Sequence, residues 1–325
     1  MCSESGVVRT VLAFGEVLWD LLPDGPVLGG APGNFAYRAN SLGDRAFIVS
    51  RLGRDSLGDR AWDRLGELGL DRRFVQRHAS RPTGTVSVFV DARGNPDFTI
   101  HTSVAYDAIE ATEELLSFAP SADCLCFGTL IQRTPGSRET LHRLLEAIPS
   151  FDGDKGCLRL LDINLRKECF SPETVRFSLG HADVLKLNDH EAKELAAMLD
   201  LPMRSLPDLC DRFLEGWGLK CCVVTLGERG AYAAAAGGEK VHVPGHRVKV
   251  VDTCGSGDAF TAGFIHELLR HRPLADCCAL GNALGALVAS QAGGTAPVSR
   301  EDLTRLGRGG EDRIADPALE RHRTA

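Results

Sequence analysis

Residues Asp252-Thr253-Cys254-Gly255-Ser256-Gly257-Asp258-Ala259-Phe260 join a turn of small residues to a helical pattern that runs to about His271. Small residues at the start of a helix leave backbone N–H groups unpaired. Together with the helix dipole these form an anion site, most often for a phosphate. Asp258 falls in the first turn, beside that anion. A carboxylate there is costly in charge unless it does chemical work, and the work on offer is to take a proton from a hydroxyl attacking the phosphate. In that reading the N–H groups of Gly255, Ser256 and Gly257 hold the phosphoryl charge. The tripeptide alone also allows a plain tight turn, with Asp258 merely complementing the dipole.

Other stretches have compositions that suit ligand contact. Gly29-Gly30-Ala31-Pro32-Gly33-Asn34 is a glycine-rich loop before a helix, with Asp20 upstream at the end of the first strand. Asn34 could equally be a helix cap. Asp162-Ile163-Asn164-Leu165-Arg166 ends in a guanidinium able to grip a phosphate or a sugar oxygen bidentately, or simply to sit on the surface. Lys186-Leu187-Asn188-Asp189-His190-Glu191 offers hard oxygen donors of the kind Mg²⁺ takes, and its Asn188 and Glu191 also fit a capping box. Val223-Val224-Thr225-Leu226-Gly227-Glu228-Arg229-Gly230 reads as a strand and turn.

The elements that must position these residues alternate. Strands are expected at 7–14, 46–50, 124–127, 158–163, 184–187 and 221–225, and helices at 35–42, 57–68, 110–118, 137–147, 191–199, 206–217 and 274–291. Short apolar strands separated by helices predict a mostly parallel sheet covered on both faces, with ligands at the carboxyl ends of its strands. Residues 83–90 and 98–101 alternate at period two around the turn chemistry of Asp91-Ala92-Arg93-Gly94-Asn95-Pro96, which predicts a small separate sheet. A β-rich stretch at 231–236 and 241–251 leads into the Asp252 turn. The polar residues after Gly307 read as a frayed tail.

Composition removes several classes of function. A net charge of −7 leaves no basic face for nucleic acid. No apolar run approaches the ~18 residues a membrane span needs, and residues 1–10 lack a signal-peptide core, which predicts a cytoplasmic protein. The 11 cysteines form no Cys-x-x-Cys pair and read as reduced, buried thiols. There is no Gly-x₄-Gly-Lys-[Ser/Thr] string, no third glycine for a dinucleotide fingerprint and no His-Glu-x-x-His.

The full string Asp-Thr-x-Gly-x-Gly-Asp-x-Phe at 252–260 resembles the C-terminal signature of the ribokinase-like sugar kinases, the pfkB family. Gly-Gly-x-x-x-Asn-x-Ala at 29–36, followed by Leu42-Gly43, resembles their N-terminal signature. The resemblance spans about 11–303. It implies an α/β, ribokinase-like domain over 1–325, with lid strands inserted at about 20–33 and 83–103 and a frayed 308–325. It implies ATP-dependent phosphorylation of a sugar hydroxyl. Asp258 is then the base, Asp20, Gly30, Asn34 and Arg166 contact the sugar, and Asn188 and Glu191 organise Mg²⁺ through water. Thr225, Gly227, Gly230, Gly255, Gly257 and Asn282 line the nucleotide site, and Asp252 holds a monovalent cation such as K⁺. The lid, with Phe89 and Phe98 as apolar contacts, excludes water and doubles as a homodimer interface. Gly29-Gly30-Ala31-Pro32 is most similar to fructokinases, implying fructose to fructose 6-phosphate, with ribose, tagatose or 2-keto-3-deoxygluconate as alternatives. Thr102 stands where many fructokinases and ketodeoxygluconate kinases place an Arg, which disfavours the sugar acid more than fructose. A binding-only sensor on the same scaffold is the contrasting reading, and it would have no need of Asp258.

Overall fold

A computed structural model describes residues 7–90, 96–153, 155–308 and 313–324, with backbone alone at 88–90, 96–98, 307 and 308. The chain runs β1 (Thr10–Phe14), β2 (Leu18–Leu22), β3 (Gly25–Gly29), α1 (Ala31–Ser41), β4 (Arg45–Gly53), α2 (Ser56–Glu67), β5 (Val75–His78), β6 (Gly84–Val90) and β7 (Pro96–Ile100). It continues through α3 (Glu113–Phe118), β8 (Cys124–Phe127), α4 (Pro135–Ala147), β9 (Leu158–Asp162), α5 (Pro172–His181), β10 (Val184–Asn188), α6 (Asp189–Met198), α7 (Leu206–Trp217) and β11 (Cys221–Thr225). The last elements are β12 (Ala231–Ala235), β13 (Lys240–Val243), β14 (Gly245–His246), α8 (Ser256–Leu268), α9 (Leu274–Ala289), α10 (Arg300–Arg308) and β15 (Arg313–Ile314).

Nine strands form one sheet in the order β13-β12-β11-β10-β9-β8-β1-β4-β5, parallel except for β12 and β13. Alternate residues of β1 face opposite ways. Leu12 and Phe14 join a core that takes Leu141 of α4, Val175 of α5, Leu195 of α6 and Phe213 of α7. Val11 and Ala13 join the core under α1, α2, α8 and α9. Burial on both faces explains why these strands read as unbroken apolar runs. The strand order reverses between β1 and β8, and a crevice opens outside the strand ends at such a switch point.

A second sheet, β3-β2-β6-β7, is the separate small sheet expected, with β2 parallel to β6 and its other pairs antiparallel. Most of its 91–96 turn, and the Phe89 and Phe98 side chains, lie outside the described residues. Its exit from β7 is held by Arg133, which pairs with Asp107 at 2.8 Å and donates to the His101 carbonyl at 2.8 Å and the Tyr106 hydroxyl at 3.0 Å.

Three expectations are corrected. Residues 247–251 are not strand, and Val250 and Val251 are 59% and 58% exposed, so the Asp252 turn follows open coil. Helices α5 and α10 were not foreseen. Residues 313–324 are docked rather than frayed: β15 pairs with β14, and Leu319 is buried in the core. Of the ten described cysteines nine are buried, with Cys254 exposed, and Cys2 lies outside the described residues. Among the described residues no helix is long and apolar enough to cross a membrane.

Candidate active site

The turn before α8 explains its own sequence. Ser256 N–H donates to the Thr253 carbonyl at 3.2 Å, and Gly255 has φ 74° and ψ −3°. That is a type II turn, whose third residue must take positive φ and is therefore glycine. A Cβ on Gly255 would also land on the Gly294 backbone. Gly257 lies in the helix without positive φ, and a Cβ on it would meet only the Lys186 ammonium, at ordinary contact distance. The Ser256 N–H expected to face an anion is thus committed to Thr253. The N–H groups of Gly255 and Gly257 have no acceptor among the described residues.

Asp258 occupies the third position of α8, yet its carboxylate caps nothing on its own helix. It accepts instead from Asn34 Nδ2 at 2.8 Å. Asn34 is not a cap either: α1 begins at Ala31 behind a Gly30 cap with φ 112°, which puts Asn34 in the first helical turn, pointing across to α8. Gly294 packs so closely on the Asn34 amide that a Cβ there would lie 2.8 Å from it. Burial raises the Asp258 pKa to about 6, with the nearby Asp162 charge adding to the effect; Asn34, Lys186 and Arg166 pull against it. A carboxylate so tuned is ionised, and able to take a proton, close to neutral pH.

A cleft of about 380 Å³ at the switch point is lined by Asp258, Asp162, Asn164 and Glu16 among apolar side chains. Glu16, just past β1, was not singled out from the sequence. Its Oε1 accepts Ala31 N–H at 3.2 Å, so it holds the glycine-rich loop, and burial pushes its pKa up to about 7. Lys186 was also missed. Its Nζ lies 3.0 and 3.2 Å from the two Asp162 oxygens, and Asp162 Oδ2 also accepts from the Thr261 hydroxyl at 2.8 Å. A Cβ on Gly257 would be 3.4 Å from that ammonium, so the positive charge lies directly under the turn. Burial works against the charge, but Asp162, Glu191 and Asp258 together hold the Lys186 pKa above its ordinary value. The signal was a lysine inside a parallel strand buried on both faces, where a charge needs a partner.

Arg166 is exposed and makes no ion pair among the described residues, yet its charge is felt by Glu16, Asp20 and Asp258. Asp20 sits in β2, with its pKa raised by burial and by Asp252 against the pull of Arg166. Asp20, Asn34 and Arg166 do not line the 380 Å³ cleft. Asp252 accepts Cys254 N–H and Gly293 N–H, each at 2.9 Å, tying the turn to the loop that carries Gly294.

Asn188 and Thr225 are direct neighbours at the ends of β10 and β11. Asn188 caps α6 through His190 N–H and Glu191 N–H, and Glu191 returns the bond to Asn188 N–H at 2.8 Å while accepting Leu165 N–H at 3.0 Å. The capping-box reading therefore holds. Each carboxylate oxygen keeps a lone pair, so the donor set still suits a water-rich Mg²⁺ shell. Gly227 has φ 60° with open space around it, and Gly230 follows with φ 86°. Asn282 is buried and gives its amide to the Val243 and Pro244 carbonyls, at 2.9 and 3.4 Å, so it fixes the β13–β14 bend.

The family model described as "pfkB family carbohydrate kinase" matches residues 26–301. A fructokinase of Klebsiella pneumoniae is 30% identical over 312 residues, covering 91% of this chain and 98% of its own. A fructokinase of Vibrio cholerae O395, solved in a fructose, ADP and calcium ion bound form, superposes with TM-score 0.77 at 25% identity, covering 92% of this chain and 99% of its own. A fructokinase of Xylella fastidiosa with bound ATP gives TM-score 0.78 at 23% identity over 91% of this chain and 97% of its own, a likeness of fold.

Proposed function

The chain belongs to the pfkB family of carbohydrate kinases, and on that premise we propose that it transfers the γ-phosphoryl group of ATP to a hydroxyl of a neutral sugar, fructose first, giving fructose 6-phosphate. The observation that carries this is the Asp258 carboxylate. It is unspent on its own helix, bonded to Asn34, and tuned to about 6 beside free turn N–H groups.

Asp258 takes the proton of the sugar hydroxyl as its oxygen attacks the γ-phosphorus, and the bond to the β-phosphate oxygen breaks with ADP as leaving group. Asn34 orients Asp258 and, with Asp20 and the Gly30 backbone, meets the sugar hydroxyls. The Gly255 and Gly257 N–H groups receive the phosphoryl charge, with Lys186 as fixed positive charge beneath them. Ser256 contributes less, because its N–H is committed to Thr253. Thr225, Gly227 and Gly230 border the nucleotide, and Asn282 supports that border through the bend it holds. Mg²⁺, held through water by Asn188 and Glu191, would neutralise charge on the phosphates. Asp252 retains acceptor capacity for a monovalent cation such as K⁺ beside the turn. The small sheet acts as a lid that excludes water, and its exposed Leu21, Leu22 and Val27 suit a homodimer contact.

A neutral sugar is favoured over a sugar acid on charge. Glu16 and Asp258 line the cleft with Asp20 nearby, and an incoming carboxylate would meet them, whereas Asp162 is already paired with Lys186. Near the lid exit Arg133 is already neutralised by Asp107. Arg166, exposed and without an ion pair among the described residues, is the feature of the site that favours 2-keto-3-deoxygluconate. Comparing kcat/KM for fructose, ribose, tagatose and 2-keto-3-deoxygluconate at fixed Mg·ATP decides the matter. We expect fructose to lead. Preference for the sugar acid, abolished by Arg166→Ala, would overturn the fructose assignment, and failure of every sugar on the panel to support ATP turnover would overturn the reading of these sugars as the acceptor.

A further inference from the structure

The docked C-terminal segment lies beyond the family match, which ends at residue 301, and its contacts converge on one place. β15 pairs antiparallel with β14, Gly245 opposite Ile314 and His246 opposite Arg313. Arg313 donates to the Pro244 carbonyl at 3.1 Å, and Thr324 N–H donates to the His242 carbonyl at 3.0 Å. Asp316, buried, accepts Ala318 N–H at 2.9 Å with one oxygen and the Arg229 guanidinium with the other. The same guanidinium reaches back to Asp189 at 2.8 Å, the residue immediately after Asn188.

These contacts all bear on the 226–230 loop. His242 Nε2 donates to the Arg229 carbonyl at 3.0 Å. A Cβ on Gly230 would land on Val243 O and Gly245 N, and one on Gly245 would land on Glu228 O, so loop and bend touch backbone to backbone. With no side chain between them, a shift of β14 moves the loop.

We infer that residues 313–324 are a working wall of the nucleotide site: through Asp316–Arg229–Asp189 and the β14–β15 pairing they set the position of the 226–230 loop, and so the affinity for the nucleoside triphosphate. The inference rests on the reading of Thr225 to Gly230 as the nucleotide border. Arg229 and Asp316 are positioning residues, since nothing places them on the phosphates. Arg229 is 37% exposed, so its pairs with Asp189 and Asp316 contribute less to global stability than a fully buried pair would. Their effect belongs in ground-state nucleotide binding, where sub-ångström placement counts.

The test measures KM for ATP, KM for the sugar, kcat and Tm in the full chain, in Asp316→Ala, in Asp316→Glu and in a chain ended after residue 312. We expect KM for ATP to rise about three- to tenfold in Asp316→Ala and further in the shortened chain. KM for the sugar should stay within about twofold, and Asp316→Glu should recover part of the loss. The shortened chain also removes Leu319 from the core and should lower Tm, so Asp316→Ala carries the decision. Unchanged KM for ATP in Asp316→Ala, or equal rises for ATP and sugar, overturns the inference. Gly227→Asn separates this from failure of the underlying reading, because Asn tolerates the left-handed backbone and fills the open space there. If Gly227→Asn raises KM for ATP while Asp316→Ala does not, the nucleotide border stands and the wall falls. If Gly227→Asn leaves it unchanged, both fall.

Discussion

Glu191 and Asp258 occupy the same place in two different helices: third residue of the first turn, α6 for one and α8 for the other. Burial raises the pKa of both. Glu191 gives one oxygen to Asn188 N–H and the other to Leu165 N–H, thereby fixing the loop that presents Arg166. Asp258 accepts one bond, from a side chain 224 residues away, and its own cap position is a glycine with nothing to exchange. An acid spent on backbone N–H groups holds structure, whereas one left unspent, desolvated and beside turn N–H groups that lack an acceptor among the described residues, is available for proton transfer. The contrast predicts that the two should fail in opposite ways when mutated.

The largest effect is expected at Asp258. Asp258→Asn should lower kcat by ~10²–10⁴ with the nucleotide still bound. Its folded pKa lies above the ordinary carboxylate value, so the folded state favours the protonated acid and carries a penalty for the charge at pH 7. Tm should therefore hold or rise, and a fall in Tm matching the loss of activity would erase the distinction from Glu191. Gly255→Ala comes next, with turnover down about 10- to 100-fold and Tm lowered, because alanine at φ 74° costs about 1–2 kcal/mol and its Cβ meets Gly294; a normal enzyme there would leave only a plain turn. Asn34→Ala should cost about tenfold in kcat/KM and move the acid limb of the pH profile upward, since the bond it removes favours the ionised Asp258. The smallest catalytic effect is expected at Glu191→Gln, a few-fold in kcat with a raised Mg²⁺ requirement. It should nonetheless lose about 1–3 kcal/mol of stability, because the amide cannot accept on both sides and leaves one N–H unmet.

Much of this was legible in the sequence where burial is two-sided. Cys124–Phe127 and Cys221–Thr225 are strands, and Leu206–Trp217 is a helix, at the limits their composition implied. Other elements were hidden for physical reasons. In 241–251 the apolar residues suggest one strand, but only Lys240–Val243 and Gly245–His246 find partners, and propensity without a neighbouring edge makes no strand. The tail docks through two β residues, one buried leucine and one carboxylate, too little for any periodicity to register. Asp258 and Asn34 were legible because each sits in a long family string. Glu16 and Lys186 carry no such string, and a single charge just past a strand or within one is ambiguous until the fold brings Ala31 to one and Asp162 to the other.

The central claim is that the ionised Asp258 is the base, and the pH dependence of kcat/KM for the sugar tests it most directly. Measured from pH 5 to 8 at saturating Mg·ATP, the parent should lose activity as pH falls through about 6, where Asp258 takes up its proton. The residual activity of Asp258→Asn should lack that limb. A parent profile flat through this range, or an identical limb surviving in Asp258→Asn, would contradict the assignment.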